Sequence, residues 1–520
     1  MIGLRHSTAF WGVILFLVIT IAIVLLGYYI MADKDFRYSL RVPQVVDLIS
    51  RVYPESFDTS RMMSYARREV FARLDRYSGY LEPEELDRIA EDFSGSYGGI
   101  GITVIGHERG LQIVSVRENA PAGRAGIRIG DIIIQVDTVG LAGVGPYRSS
   151  YHLRGKEGTP VTVFICRPPW HDTLDFNLTR ERLKFIHIPY AGLTGREVLY
   201  IRILDFEAGL YEELLDVLDS AYLPRKDSIK ALIIDLRGNP GGLLNETARA
   251  CDLFLDEGHL IVGVKGKSRW RSFEHFSSRG DMTDGLPIAV LVDKASASAA
   301  EIFAGCLKYS NRAVLVGDTT FGKGLVQEYQ ALGDGSGMRL TTSRYYFEGG
   351  IFLNPSIEEP DSSAGVPPDH FIKAMEMESF PSFLEGFGYL RDFALNNKEK
   401  ILSISPFEEN LPEWVDGFVE YIGEKGFQYE SELTKVAIDI KNMTSDWNSR
   451  SSVSSAIDRI VKQSKAEDSA QTDNYRDYIA RRLYQISIEM EYGISSAYRE
   501  VVVPYRPEIR LAERVLMESK

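Results

Sequence analysis

The sequence predicts an α/β core carrying an inserted β-rich domain, with an apolar N-terminal helix before it and an α-helical domain after it. Three observations carry that expectation. Between residues 183 and 373, continuous apolar runs alternate with helix-length amphipathic stretches, the pattern of a sheet buried on both faces and at least partly parallel. Between 94 and 182 the runs shorten and glycines punctuate them. Beyond Ala374 apolar residues recur at three- and four-residue spacing. At 520 residues the chain is too long for one ordinary core, so several domains are expected.

At the N-terminus, residues 1–8 include Arg5 and His6, and residues 9–32 form an uncharged, mostly apolar stretch that Asp33 and Lys34 end. As a helix that stretch is roughly 36 Å long, enough for the ~30 Å hydrocarbon core of a bilayer. A signal peptide usually has a shorter apolar region and a small-x-small cleavage site, which Tyr29-Ile30-Met31-Ala32 fits poorly. The expectation is a transmembrane anchor with 1–8 cytoplasmic and the remainder exported; the alternative is a cleaved signal sequence. Residues 40–93 read as a helical region. Val45, Leu48, Ile49 and Val52 recur at helical spacing, as do Met63, Ala66, Val70 and Leu74.

In 94–182, Gly98-Gly99-Ile100-Gly101-Ile102 reads as a glycine-rich loop entering a strand. Leu111–Val116, Gly130–Val136 and Val161–Cys166 read as further strands, with a helical turn at Ala120–Gly126. In 183–373, Tyr200–Ile203 predicts a strand and Gly209–Leu223 an amphipathic helix. The apolar strand Ala231–Asp235 opens into Leu236-Arg237-Gly238-Asn239-Pro240-Gly241-Gly242, and a helix follows to about Phe254. The apolar runs Leu286–Val292 and Ala313–Val316 complete the core pattern. In 374–520, Phe383, Phe387, Leu390 and Phe393 share one helical face; Ser449–Ser455 reads as an exposed bend, and Tyr478–Met517 as helix broken at Pro504. This last region reads as an accessory domain for packing or oligomerisation.

Composition narrows the function classes. The formal net charge of −14 argues against a nucleic-acid surface, and the chain is read as lacking a basic cluster interleaved with aromatics. No ligand spacing occurs among the eight histidines and three cysteines, so neither a metal nor another cofactor is expected. Cys166, Cys251 and Cys306 each sit in an apolar stretch and read as buried free thiols.

The chemistry concentrates in three segments. Ser298 lies in Lys294-Ala295-Ser296-Ala297-Ser298-Ala299 just past one apolar run, and Lys323 in Phe321-Gly322-Lys323-Gly324 just past the next, with Gln327 four residues on. A serine opening a helix has unpaired backbone donors beside it, and the amide of Ala299 is one candidate for oxyanion stabilisation. Gly241 and Gly242 are candidates for the second, because glycine lets the backbone approach a substrate. A lysine is a general base only when neutral. Its ordinary pKa of about 10.4 has to fall toward the working pH, at a cost of about 4 kcal/mol that desolvation supplies. Gln327 can orient such an amine without adding charge. Lys294 and Ser296 are nearby rivals, although Lys294, following Asp293, reads as solvated.

The order of strands and glycines in 94–182 resembles a PDZ domain of the circularly permuted bacterial-protease type. That implies capture of a polypeptide tail by strand addition, with backbone amides of Gly98, Gly99, Ile100, Gly101 and Ile102 at the terminal carboxylate. Asp235 through Gly242, Ser296-Ala297-Ser298-Ala299 and Phe321 through Gln327 together resemble the carboxy-terminal processing (tail-specific) proteases. The resemblance runs from about Val45 to His370 and takes in Leu74-Asp75-Arg76-Tyr77-Ser78 and Gly365-Val366-Pro367-Pro368-Asp369. It implies a ClpP/crotonase-like core with Ser298 as nucleophile, Lys323 as general base, Gln327 as its support, and Gly242 and Ala299 as the oxyanion hole. It further implies an exported serine endopeptidase of the bacterial inner membrane, facing the periplasm, that cleaves polypeptides near their C-termini. A homo-oligomer or an adaptor protein is compatible with it. Ala300 stands where many relatives have serine, and the tail after Ala374 exceeds the minimal protease. A catalytically silent peptide-binding scaffold is the alternative; a Ser-His-Asp triad fails for want of a suitably placed histidine.

Overall fold

A computed structural model describes residues 20, 41–56, 58–107, 109–144, 149, 151–167, 173–353, 365–373, 379–386, 388–405, 412–444 and 452–518. The expected anchor at 9–32, residue 20 apart, lies outside the described residues, as do 1–8, Phe387 and 449–451. Among the described residues no helix is long and apolar enough to cross a membrane. The chain divides into two compact units, one of 1–86 with 327–341, the other of 87–326 with 342–520.

In the larger unit, the apolar runs become a six-stranded sheet: β1 (Tyr190–Leu193), β2 (Val198–Arg202), β3 (Ala231–Asp235), β4 (Ile288–Val292), β5 (Ala313–Gly317) and β6 (His370–Phe371), in that spatial order. Only β1 runs antiparallel to its neighbour; the other pairs are parallel. Every residue of β3 and β4 is buried, which is why these strands read as continuous rather than alternating. Leu199, Ile201, Leu232, Ile234 and Val290 face a layer containing Leu210, Leu214, Phe254 and Phe303, contributed in part by helices α1 (Leu244–Cys251) and α2 (Ala299–Tyr309). Val198, Tyr200, Ile233, Ala289 and Leu291 face the other way, against Val502, Ile509, Ala512 and Leu516. The last three belong to helix α3 (Pro507–Glu518). Helix α3, in the region 374–520 read as a helical accessory domain, therefore forms the second wall of this sheet.

Before that helix, Arg476–Tyr492 ends at Gly493, and the expected break at Pro504 is displaced. Pro504 lies inside an unbroken helical run, residues 494–505, whose stretch Tyr498–Val502 is π-helical. The chain turns extended at Arg506, ψ 124°, because the residue before Pro507 is excluded from helical geometry. The described residues between 379 and 492 otherwise form mostly helices, around Phe380, Leu384, Leu390, Phe393, Trp414, Phe418 and Leu483. An antiparallel ladder that the periodicity did not disclose pairs Leu260–Gly266 with Phe273–Phe276 and, on its other side, with residues 343–346. The three cysteines are buried free thiols.

The inserted domain is an antiparallel sheet with the order Ile102–His107, Gly110–Val116, Ile132–Val136, Pro160–Cys166, Thr173–Thr179. Its core includes Ile100, Leu111, Ile113, Ile133, Val163 and Ile165. One end rests on helix Tyr389–Leu402: Gln112 Nε2 donates to Asp392 Oδ1 at 2.7 Å, and a Cβ on Gly130 would meet Leu395 at 2.8 Å.

In the smaller unit, helices Arg41–Val52 and Thr59–Phe71 form as the spacing predicts, the second capped by Asp58 on the amides of Ser60 and Arg61. Their apolar stripe is not buried: Val45, Leu48, Val52, Val70 and, just beyond, Leu74 are each more than half exposed. A short strand, Gly79–Leu81, pairs with Gly337–Arg339.

Candidate active site

Because β3, β4 and β5 are neighbours, the loops leaving their carboxyl ends meet, where open α/β sheets place their sites. The loops are laced together. Asp293 Oδ1 accepts the amides of Gly238, Ala295 and Ser296, at 2.9, 3.0 and 3.0 Å. Ser296 Oγ donates to Leu236 O at 2.8 Å, and the amides of Ala297 and Phe321 donate to Asn239 O and Ser296 O, each at 3.0 Å. Ser296 is fully buried in this lacing and Lys294 has a side chain 69% exposed, which removes both rivals from the site.

Ser298 stands at the N-terminus of α2 with φ 56° and ψ −114°, a strained conformation for a residue with a Cβ. What holds it there is Glu301, fully buried one turn into the helix. Its Oε2 accepts the amide of Ser298 at 2.9 Å and the amide of Lys323 at 2.9 Å; its Oε1 accepts the amide of Gly322 at 2.5 Å and the hydroxyl of Thr320 at 2.7 Å. The buried Tyr345 hydroxyl lies 3.1 Å from Glu301 Oε2 and accepts the amide of Gly324 at 3.2 Å. One carboxylate oxygen thus ties the backbones of the serine and the lysine together. Ser298 and Lys323 are both half-buried, at the surface of this network. The sequence reading passed over Glu301, although Ser-x-x-Glu at a helix start is the capping-box signature that would have marked it.

The glycine loop abuts the serine turn. A Cβ on Gly241 would come within 2.8 Å of the Ser298 Cβ and of the Ala299 amide nitrogen, so only glycine fits. Its φ of 107° requires the same. The amide of Gly241 donates to Asn239 Oδ1 at 2.9 Å, which removes it as an oxyanion donor. The amides of Gly242 and Ala299 donate to no group among the described residues. Gly242 is held by a parallel bridge to Phe206, with Phe206 N on Gly241 O and Leu243 N on Phe206 O, both at 2.8 Å. Next to Phe206, Asp205 Oδ1 lies 2.6 Å from Nδ1 of the buried His187.

At its base the same loop is anchored electrostatically. Asp235 is buried; Tyr200 OH donates to it at 2.6 Å, Arg237 Nη2 pairs with it at 2.6 Å, and Arg237 Nη1 pairs with Glu508 on α3 at 3.1 Å. Burial alone would raise the Asp235 pKa; the charges of Arg237 and Arg202 and the hydrogen bonds of Arg237 and Tyr200 outweigh it and hold the carboxyl below the usual range.

Gln327 belongs to the smaller unit. Its Nε2 donates to Thr341 Oγ1 at 3.3 Å, and Thr341 Oγ1 donates to Asp75 Oδ1 at 3.2 Å. In the inserted domain, Gly98 and Gly99 lie in a short strand paired with Arg182 and Glu181 rather than in a free loop. Gly101, with φ 84°, packs so closely on Ala120 that a Cβ would come within 2.1 Å of it. The amides of Ile100 and Gly101 donate to no group among the described residues, and Ile102 begins the edge strand of the sheet.

The sequence is similar to those of known proteins. Residues 197–370 match the model of peptidase family S41, and residues 98–179 that of the PDZ domain. The carboxy-terminal processing protease CtpB of Bacillus subtilis is 30% identical over 336 residues, 64% of this chain and 68% of that protein. CtpA of the same organism is 28% identical over 449 residues, 84% of this chain and 93% of that protein. The carboxy-terminal-processing protease of Bartonella bacilliformis is 29% identical over 353 residues, 68% of this chain and 79% of that protein. With its three core loops, its inserted sheet and these relatives, the chain belongs to the carboxy-terminal processing proteases, serine peptidases of family S41 that carry a PDZ domain.

Proposed function

We propose that the chain is an exported, membrane-anchored endopeptidase that cleaves polypeptides near their C-termini through a Ser298–Lys323 dyad. The observation that carries the dyad is the Glu301 carboxylate, one oxygen of which accepts both the Ser298 and the Lys323 amides. Neutral Lys323 takes the proton of Ser298 Oγ as the oxygen attacks the scissile carbonyl. The oxyanion is received by the amides of Ala299 and Gly242, each such donor being worth about 2.7–4 kcal/mol in the transition state. The lysine then returns the proton to the leaving amine; in the second half, neutral Lys323 takes a proton from water as it attacks the acyl carbon and returns it to Ser298 Oγ as the acyl group is released. Gln327 is assigned the support of Lys323 by family resemblance. The PDZ domain takes the substrate tail, its terminal carboxylate on the amides of Ile100 and Gly101 and its strand along the free edge of Ile102–His107. Anchoring is assigned to residues 9–32, with the protease outside the cytoplasm.

Ser298→Ala is expected to abolish cleavage of an unfolded polypeptide while leaving tail binding intact, and Lys323→Ala to be about as damaging, because the two act as a unit. Turnover by Ser298→Ala equal to that of the wild type would rule the assignment out.

A further inference from the structure

The stretch Lys265-Gly266-Lys267-Ser268-Arg269-Trp270-Arg271-Ser272-Phe273 holds four basic residues and no acid, in a chain of net charge −14. It is a basic cluster with interleaved aromatics that the sequence reading passed over. In the fold it is the tip of the hairpin between Leu260–Gly266 and Phe273–Phe276. The tip is built, not frayed. Arg269–Arg271 form a 3-10 turn; Arg271 N donates to Ser268 O at 3.0 Å, and Gly266 N donates to Ser272 Oγ at 3.1 Å. A Cβ on Gly266 would come within 2.5 Å of the Arg271 Cβ, so the two arms are as close as they can be. This turn presents Trp270 95% exposed at its apex, with Lys265, Lys267, Arg269 and Arg271 exposed around it and Phe273 43% exposed behind. The first acid along the strand, Glu274, accepts the Tyr346 hydroxyl at 2.6 Å.

We propose that this hairpin tip docks on the surface of an anionic phospholipid bilayer, with Trp270 in the headgroup layer and the four basic side chains on lipid phosphates. Indole is at home where one end is apolar and the other wet, and long basic chains keep their charge at the phosphates while their stems lie in the interface. The exposed indole at the apex, with Phe273 behind it, favours a half-apolar layer over a purely anionic polymer. The inference stands apart from the protease reading, since the hairpin carries none of the residues assigned to catalysis.

The test uses the full chain reconstituted into vesicles of phosphatidylcholine, with or without phosphatidylglycerol, whose acyl chains carry bromine as a quencher of indole emission. The chain has five tryptophans, so the signal of Trp270 is taken as wild type minus Trp270→Phe. Attachment through any other segment does not contribute to that difference. The expected result is quenching specific to Trp270 in the phosphatidylglycerol vesicles, weaker without the anionic lipid and reversed by salt. Each neutralisation of Lys265, Lys267, Arg269 or Arg271 to Gln is expected to weaken docking about fivefold. Turnover of a soluble unfolded polypeptide by all these variants should match the wild type and shows that they fold. Absence of Trp270-specific quenching, or equal quenching in both lipids, overturns the proposal. So does a Trp270 emission change on adding a nucleic acid or polyglutamate without lipid, which would assign the tip to a different partner.

Discussion

Glu301 bears the most responsibility for the site without touching the reacting atoms. Two backbone amides and the Tyr345 hydroxyl converge on a single oxygen of the fully buried Glu301. A glutamine there is nearly isosteric but offers one acceptor oxygen and an NH2 aimed at donors. Glu301→Gln is therefore expected to lower kcat about a hundredfold, the scale of an ångström-sized misplacement, with KM little changed. It should also destabilise the fold by about 1–3 kcal/mol in denaturant titration. An unchanged kcat would show that the serine and lysine are positioned by something else. His187 supports the neighbouring segment. Burial alone would lower its pKa; the hydrogen bond and charge of Asp205, with Glu213 and the Ala208 carbonyl behind them, outweigh that and raise it. A raised folded value means that the pair's contribution is complete below the ordinary histidine pKa of about 6.5 and is lost as pH rises through the folded value. The stability advantage of wild type over His187→Gln, followed by thermal melting across that range, is expected to shrink with increasing pH. An advantage that grows would invert the sign and refute the pairing.

At the scale of elements, α2 and α3 do opposite jobs on opposite faces of one sheet. Helix α2 presents the serine turn and buries Ile302, Phe303 and Leu307 beneath it. Helix α3 covers Ile233, Ala289 and Leu291 with Ile509, Ala512 and Leu516 and places Glu508 against Arg237. Were α3 an appendage, truncating its apolar face would cost little. As the second wall of the sheet, Ile509→Ala should destabilise by about 2–5 kcal/mol in denaturant unfolding. A loss under about 0.5 kcal/mol, the usual effect at a surface position, would return the chain's end to the status of an accessory. The contrast with the first helices is instructive. Val45, Leu48 and Val52 repeat as regularly as Ile509, Ala512 and Leu516, yet the described structure leaves the first set exposed and buries the second. Periodicity reports that a helix has an apolar face and is silent on what covers it.

Across the whole molecule, the parts legible in advance were those that local chemistry dictates. The apolar run Ala231–Ile234, closed by Asp235, reads as a strand buried on both faces and is one, whereas the break read at Pro504 falls at Arg506, which Pro507 keeps out of helical geometry. The serine, the lysine and the glycine loop were legible because each follows an apolar strand, and such loops meet when the strands are neighbours. Less legible was anything whose meaning lies in a distant partner. Nothing local to Gly242 says that its loop would be held by a bridge to Phe206. Gly79–Leu81 is a strand only because Gly337–Arg339 lies beside it. The sequence by itself determined the α/β core, the inserted sheet, the helical end and the residue types the chemistry needs, because steric limits, periodicity and side-chain chemistry act within a few residues. Only the tertiary structure decided that one buried carboxylate joins the serine and lysine turns, and that the last helix walls the catalytic sheet. Both depend on long-range packing and on satisfying every buried donor, which no stretch of chain can specify alone.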